Sequence, residues 1–486
     1  MTRRTVGGVA GAAGLIAVLT LLARAAGFGR TLVFADSVRA SGIGDVYNIV
    51  NAVPNVVHEV AAGGALAAVT VPLIAGHLGA GSKRAAHDTA STLLTWALVV
   101  LMPLAVLVWL LAEPLTGLLI SGGSADAVST GAVMLRIFAV QIPLYGLAVV
   151  ITGVLHAHSR FAAVAVAPLV SSLVVIATYL AFGSLAQGAT TDVSPGAVQV
   201  LAWGTTAGVA ALAVPLLVPA WRTGWRYRPS LRFTGADAGR ARRLAGAGLL
   251  ALAAQQFATL ASLRIAGYYG DWEGAASVYT WILAIVMLPY AVLIIPLATA
   301  SFPALTTRAM EVGDGRSVHD SDAAVLLARA FHVAVLLGVV GALTLAALSP
   351  AVGAVFSILD ARRGGGTVSG AAVPAMAAGL RTFAPGLIGL GVIAILTRAL
   401  YVRGRPLTAG LAAAAGWILA VSIPAVVLTT GSSAEQTVTV LGIGWSIGMT
   451  VAAVLLTVLA VRHWGRGILS GWGDTLGYLW RRLVRR

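Results

Sequence analysis

Eleven charged or titratable side chains interrupt the apolar runs of this chain: Arg24, Arg30, Asp45, His58, Glu59, Arg136, Arg264, Arg329, His332, Arg381 and Arg398. A charge in hydrocarbon is costly, so each must face protein or water and is a candidate for function. Most are guanidinium groups, which stay protonated and grip phosphate or carboxylate through paired N–H···O bonds. The chemistry they suit is non-covalent capture of an anion. Arg264, Arg329 and Arg398 are expected to snorkel or to pair within the protein. Arg136 and Arg381 lie deeper in their runs, and for them structural and ligand-contacting roles stay equally open.

The densest group is Arg24, Gly27 and Arg30. Glycine at 27 permits close approach of a ligand or a neighbouring helix. Six residues of ideal helix turn through about 600°, so Arg24 and Arg30 point about 120° apart. Asp45 opens the next run and is placed to position an arginine or to act in a gate. His58 and Glu59 sit about 20 Å further along that helix. They form a candidate pair for cavity, gating or ion coupling, with a buried structural pair as the alternative. His156-Ala-His158 lacks a third ligand nearby, so no metal site is expected. No Walker loop, nucleophile elbow or carboxylate pair is present, so neither an ATPase nor a hydrolase is indicated.

The elements that position these residues are membrane helices. Apolar residues make up 58% of the 486, charged residues only 10%, and mean hydropathy is +0.92. Runs of about 20–30 residues without period-2 alternation predict helices that satisfy their own hydrogen bonds in lipid. There is no cysteine, so disulfides and thiolate metal sites are excluded. A net charge of +15 would suggest nucleic acid in a soluble protein. Here the basic residues cluster at helix ends, and no nucleic-acid partner is expected. Arg3-Arg4 and the run after them imitate a cleavable leader, but the apolar character resumes beyond Arg24, which favours a retained first helix.

Twelve spans are expected, near 7–34, 44–76, 90–119, 128–155, 162–185, 196–220, 244–268, 275–306, 323–348, 372–401, 407–429 and 437–461. Bends are expected at Pro54 and Gly63-Gly64 in the second and at Pro289 and Pro296 in the eighth. With both termini cytoplasmic, the inside segments carry most of the arginine, and the outside loops hold only Arg39, Arg362 and Arg363, which meets the positive-inside rule in every loop but one. The segment 135–160 returns ungapped as 380–405: LRIFA answers LRTFA, Gly146 answers Gly391, and Arg160 answers Arg405. Both copies run outside to inside, which predicts a parallel duplication. The expected organisation is a six-helix lobe at 1–221, a basic cytoplasmic linker at 222–243, a second lobe at 244–465 and a tail at 466–486. Trp472, Leu476, Leu479, Trp480 and Leu483 share one stripe of that tail beside arginines, which suits a helix lying on anionic lipid.

Three stretches carry a family resemblance: ARAAGFGR at 23–30, GDVYNIVNAVPNVVHEVAAGGALAAVTVPLIA at 44–75, and GVLHAHSRFAAVAVAPLV at 153–170. MLPYAVLIIPLATASFPAL at 287–305 adds a fainter match. In these the chain resembles the MurJ/MviN family, the lipid II flippases of the MOP exporter superfamily. The resemblance implies that the family's charged cavity residues correspond to Arg24, Arg30 and Asp45. It departs where the family has an arginine pair and an acid after Pro-Asn, positions held here by His58, Glu59 and Gly63. It departs again before the helix-eight proline, where Ala284 and Met287 stand, and it lacks two further helices that many members carry.

The resulting expectation is an all-α polytopic membrane protein, two parallel six-helix lobes around a central cavity. By resemblance it flips undecaprenyl-pyrophosphate-linked lipid II across the bacterial inner membrane by alternating access, with Arg24, Gly27, Arg30 and Asp45 at the substrate. His58, Glu59, Arg136, Arg264 and Arg381 are candidates for cavity or gating roles. No cofactor is expected, and the coupling ion or membrane potential that drives transport is left open. Two alternatives remain: a MATE-like exporter of another lipid-linked glycan or a drug, and a non-transporting scaffold that recruits cell-wall synthesis proteins.

Overall fold

Proline and backbone hydrogen bonding decide where the long apolar runs break. The computed structural model describes residues 3–61, 66–120, 122–232, 249–311, 322–475, 477 and 481, and the structural statements concern these. They are almost wholly helical. The first half comprises α1 (Arg3–Ser37), α2 (Ile43–Val60), α3 (Leu66–Gly79), α4 (Lys83–Leu110), α5 (Ala112–Leu119), α6 (Ala125–Phe138), α7 (Gln141–Ala157), α8 (Phe161–Ala186), α9 (Pro195–Ala213) and α10 (Leu217–Trp221). The second comprises α11 (Leu249–Tyr269), α12 (Ala275–Pro289), α13 (Ile295–Glu311), α14 (Asp322–Arg362), α15 (Met376–Phe383), α16 (Gly386–Val402), α17 (Pro406–Val427) and α18 (Ala434–Trp464).

Ten helical segments among the described residues are long and apolar enough to cross a membrane. Of the twelve expected spans, 44–76 is divided between α2 and the shorter α3. The span at 244–268 is α11, where Gln255, Gln256 and Arg264 dilute the apolar residues. The expected Gly63-Gly64 bend lies outside the described residues. In the eighth span a π-turn over Tyr290–Ile294 joins α12 to α13 between the two expected bend residues, and it is the turn that Pro296 crowds, since a proline ring removes one ladder bond and clashes with the turn before it. Leu107, Leu343, Ile358, Leu407 and Val426 stand exposed, a pattern that lipid as solvent explains and water does not.

The sequence repeat is a structural repeat. Each copy breaks after its Leu-Arg-x-Phe: α6 passes to α7 at Ala139-Val140, and α15 to α16 at Ala384-Pro385. Leu135, Phe138 and Leu155 are fully buried, as are Leu380, Phe383 and Leu400. Each copy ends in one turn geometry. The amides of His158, Ser159 and Arg160 donate to the carbonyls of Val154, His156 and Leu155, and those of Arg403, Gly404 and Arg405 donate to Ala399, Tyr401 and Leu400. The left-handed position of that turn is Ser159 in one copy (φ 58°) and Gly404 in the other (φ 68°).

The chain divides into two compact units. Unit 1 holds Met1–Leu252 together with Asp271–Ser277 and Phe356–Val373. In it α8 lies along α1 and α9, while α3, α4 and α7 enclose a core of Leu73, Ile74, Leu94, Ile151, Val154 and Trp225. Unit 2 holds Ala253–Gly270, Val278–Val355 and Pro374–Arg486. Its α18 is packed on α15, α16 and α17 through small residues. A Cβ on Gly416 would meet the Gly448 carbonyl, and one on Gly389 the backbone of Met449. Such close approach supplies packing where no hydrophobic drive acts between helices.

The basic segment after α10 departs from the expected linker. Residues 225–232 form no helix and lie against α4, bonded to its Ser91, Thr92, Thr95 and Trp96. The remainder of the expected linker, with Arg240, Arg242 and Arg243, lies outside the described residues.

Candidate functional site

Unit 1 brings together two polar assemblies. One is a cationic stretch of α1. The other is a buried latch made by the turn between α1 and α2, the loop before α12 and the end of α14.

The first centres on Gly27. Helical geometry places Gly27 about 300° from Arg24 and Arg30 about 300° further, so the glycine direction bisects the two arginines. Both arginines are exposed. A Cβ at Gly27 would meet nothing within 4 Å, so protein packing does not require the glycine. What it leaves is bare helix surface flanked by two guanidinium groups, each about 60° to one side. Gly29 is equally uncrowded. An anion with several acceptor oxygens fits such a face, because each fork can take two of them.

Arg30 borders an aromatic floor. Its charge reaches the hydroxyls of Tyr47, Tyr145 and Tyr179. Tyr47 Oη shares hydrogen bonds with Tyr179 Oη (2.9 Å) and Thr205 Oγ1 (3.1 Å), and Phe34 meets the Tyr47 ring at a tilt and the Tyr179 ring edge-on. Tyr145 donates to Asn55 Oδ1 at 3.0 Å. The His58 ring lies 4.3 Å from that of Tyr145, and its Nδ1 is buried without a hydrogen-bond partner among the described residues. Glu59 is exposed, and no hydrogen bond joins it to His58 among the described residues. The acid and the imidazole are thus neighbours in sequence with different surroundings.

The latch takes Asp45. Its side chain is fully buried and accepts from the amides of Gly274 (2.9 Å) and Ser277 (2.8 Å). It therefore satisfies orphan donors at the start of α12, and its hydrogen-bond partners there are main-chain amides, not an arginine. Ser277 Oγ donates to the Ala40 carbonyl at 2.7 Å, and Asn48 donates to Ser277 Oγ at 3.0 Å.

Arg39 and Asp360 form the centre of the latch. Arg39 Nε donates to the Asp360 carbonyl (2.7 Å), Nη1 to the Gly188 carbonyl (2.8 Å) and Nη2 to the Thr367 carbonyl (2.6 Å). The two side chains are 7% and 0% exposed, with Nη2 and Oδ2 3.8 Å apart. Asp360 also accepts from the Ala40 amide (2.7 Å), the Ser369 amide (2.5 Å) and Ser369 Oγ (2.9 Å). Arg39 holds φ at 72°, a conformation costly for a residue with a side chain, which the surrounding bonds over-determine. Asp36 adds ion pairs to Arg363 (3.0 Å) and Arg362 (3.5 Å).

The other candidates are dispersed. Arg136 pairs with Glu113 at 3.7 Å in a largely exposed contact. Exposed pairs contribute about 0–1 kcal/mol, so Arg136→Gln should lower thermal stability in detergent by less than about 1 kcal/mol and leave transport intact; a transport defect at normal protein level would give Arg136 a ligand role. Its repeat partner Arg381 donates to Ser349 Oγ at 2.9 Å in unit 2. Arg264 is half-buried in unit 2. Arg398 bonds back to the Ala394 carbonyl at 2.6 Å. Arg329 and His332 line a cavity of 340 Å³ in unit 2. His332 meets Thr475 Oγ1 at 3.0 Å and Trp472 at 4.0 Å, fastening the start of the tail. The rest of the expected tail stripe, Leu476, Leu479, Trp480 and Leu483, lies outside the described residues.

Sequence reasoning passed over Asp36, Arg39, Asp360, Arg363 and Ser369. A signal was present: Arg39, Arg362 and Arg363 were the only arginines assigned to the side that normally lacks them.

A family model described as lipid II flippase MurJ matches residues 34–484. A lipid II flippase MurJ of Burkholderia cenocepacia is 30% identical over 163 residues, which cover 32% of this chain and 31% of that relative, so the match spans about a third of the curated relative's length. Among solved structures, a lipid II flippase MurJ in an inward closed conformation superposes with TM-score 0.71 at 15% identity, covering 92% of this chain and 87% of the other. An inward-facing multidrug resistance MATE family transporter of the MOP superfamily gives TM-score 0.69 at 17% identity, covering 92% and 95%. At these identities the structural matches establish the fold.

Proposed function

The chain belongs to the lipid II flippase MurJ family, and from that premise we propose that it flips lipid II across the bacterial inner membrane by alternating access. The observation that carries the reading is the open face at Gly27 between Arg24 and Arg30. A pyrophosphate laid across that face meets a guanidinium on either side, while its polyprenyl tail remains in lipid. Tyr145, with Asn55 and His58 against it, adds hydrogen-bonding groups within electrostatic reach of Arg30, suited to the sugars of such a substrate.

With both termini cytoplasmic, the latch lies at the outer end. Its bonds then hold that end closed while the arginine face loads from the cytoplasmic leaflet. Release of Asp45 and Asp360 from their amide donors is the opening move. The donors at Gly274, Ser277 and Ser369 become wet as it happens, so the step exchanges protein hydrogen bonds for water and leaves none unmet.

The reading is tested by expressing this chain in a bacterium depleted of its own lipid II flippase and measuring lipid II exposed on the outer leaflet. Restored growth with restored exposure supports it. A correctly inserted protein that restores neither would remove lipid II as substrate.

A further inference from the structure

The turn at 222–224 and the strap at 225–232 that follows it have two different faces. Trp225 is fully buried and donates to Ser91 Oγ at 3.1 Å, and the hydroxyl of the more exposed Tyr227 meets Thr95 Oγ1 at 3.2 Å. The backbone is fixed as well. The amides of Arg228 and Ser230 donate to Ser91 Oγ and Thr95 Oγ1, and the carbonyls of Leu231 and Arg232 accept from Trp96 Nε1 and Thr92 Oγ1. Arg226 is spent on the Trp221 and Trp225 carbonyls. Arg222, Arg228 and Arg232 remain on the outer face, exposed, with no acidic partner among the described residues. Trp96, Trp221 and Leu231 are exposed beside them.

The depth of this face is set by α4. Its 28 residues make about 42 Å of helix, against about 30 Å of hydrocarbon. The apolar stretch from Thr92 to Leu110 takes up about 28 Å of that. The strap, bonded at 91–96, therefore lies at the boundary where headgroups begin. Exposed indoles and leucine beside unpaired guanidinium groups suit a surface that is apolar on one side and phosphate on the other, which neither a dissolved anion nor an acidic protein offers.

We propose that Arg222, Arg228 and Arg232, with Trp96 and Trp221, form a docking site for the phosphate headgroups of anionic glycerophospholipids in the adjoining leaflet. Because Trp225 sits in the core of α3, α4 and α7, lipid bound there braces this end of unit 1. The inference stands apart from the identity of the transported substrate.

The test titrates the full-length detergent-solubilised protein with phosphatidylglycerol, phosphatidylcholine or inorganic phosphate, and reads bound lipid by native mass spectrometry. Basic residues near a membrane surface contribute about 1 kcal/mol each, so the wild type should prefer phosphatidylglycerol by about tenfold or more. The triple variant R222Q/R228Q/R232Q should lose that preference, while R403Q/R405Q/R466Q, with the same change in charge, should keep it. Arg226 is left in place and the buried Trp225 is untouched, so an unchanged melting temperature certifies the fold. Equal preference in wild type and strap variant overturns the proposal. So does equal loss in both variants, and so does competition by millimolar inorganic phosphate.

Discussion

Replacing Asp360 by Ala should unlock the latch of unit 1. The carboxylate accepts from two amides and one hydroxyl and faces the Arg39 guanidinium, all with almost no exposure to water. Removing one partner of a buried charge pair costs about 3–5 kcal/mol, because the other is left uncompensated. That shifts a closed-to-open equilibrium by about a hundredfold or more. The chain contains no cysteine, so Ala40→Cys installs a unique reporter at a position that is fully buried in the latch. Its labelling by a membrane-impermeant maleimide should be slow in the otherwise native chain and at least about tenfold faster with Asp360→Ala. On the proposed alternating-access cycle flipping should fall as well, because the latch must close before the arginine face reloads. Slow labelling in the Asp360 variant would show that Asp360 is not what holds the latch shut.

Arg24→Ala and Arg30→Ala should each abolish rescue of a flippase-depleted strain without reducing the amount of protein in the membrane. Each guanidinium offers charge-assisted bonds of about 1.5–3 kcal/mol, so either loss costs about ten- to a hundredfold in retention of a pyrophosphate. Lysine at either position keeps the charge but not the planar fork, and partial rescue by Arg24→Lys with none by Arg24→Ala would identify the charge as the larger contribution. Because a Cβ at Gly27 meets no protein atom, Gly27→Leu should fold normally and still block transport by filling the face between the arginines. Normal rescue by Gly27→Leu would place the substrate elsewhere.

The helical, duplicated scaffold was legible in the sequence because lipid makes its demands residue by residue. A run of apolar residues long enough to span has few alternatives, and the Leu-Arg-x-Phe pair marks the same helix break in both copies. The site was legible only in part. Arg24, Gly27 and Arg30 are near neighbours in one helix, so helical angles alone define their face. Asp45 is another matter: its donors at Gly274 and Ser277 lie 229 and 232 residues away, and they are backbone amides, which have no sequence signature. The same holds for the strap, read from its arginines as a linker, whose attachment runs through the hydroxyls of Ser91, Thr92 and Thr95. Hydroxyls inside an apolar helix ordinarily bond back to their own backbone, and nothing in composition tells the two uses apart.

The latch is written mostly in main-chain atoms. Arg39 reaches three carbonyls, Asp45 two amides and Asp360 two amides and a serine. A substitution at most loop positions leaves those donors and acceptors in place. Only the few polar side chains are held, along with glycines such as Gly364 and Gly370, where a Cβ would meet Arg39 or the Glu273 backbone. Descendants of this chain are thus free to rewrite the surface of these loops while the closure beneath stays the same.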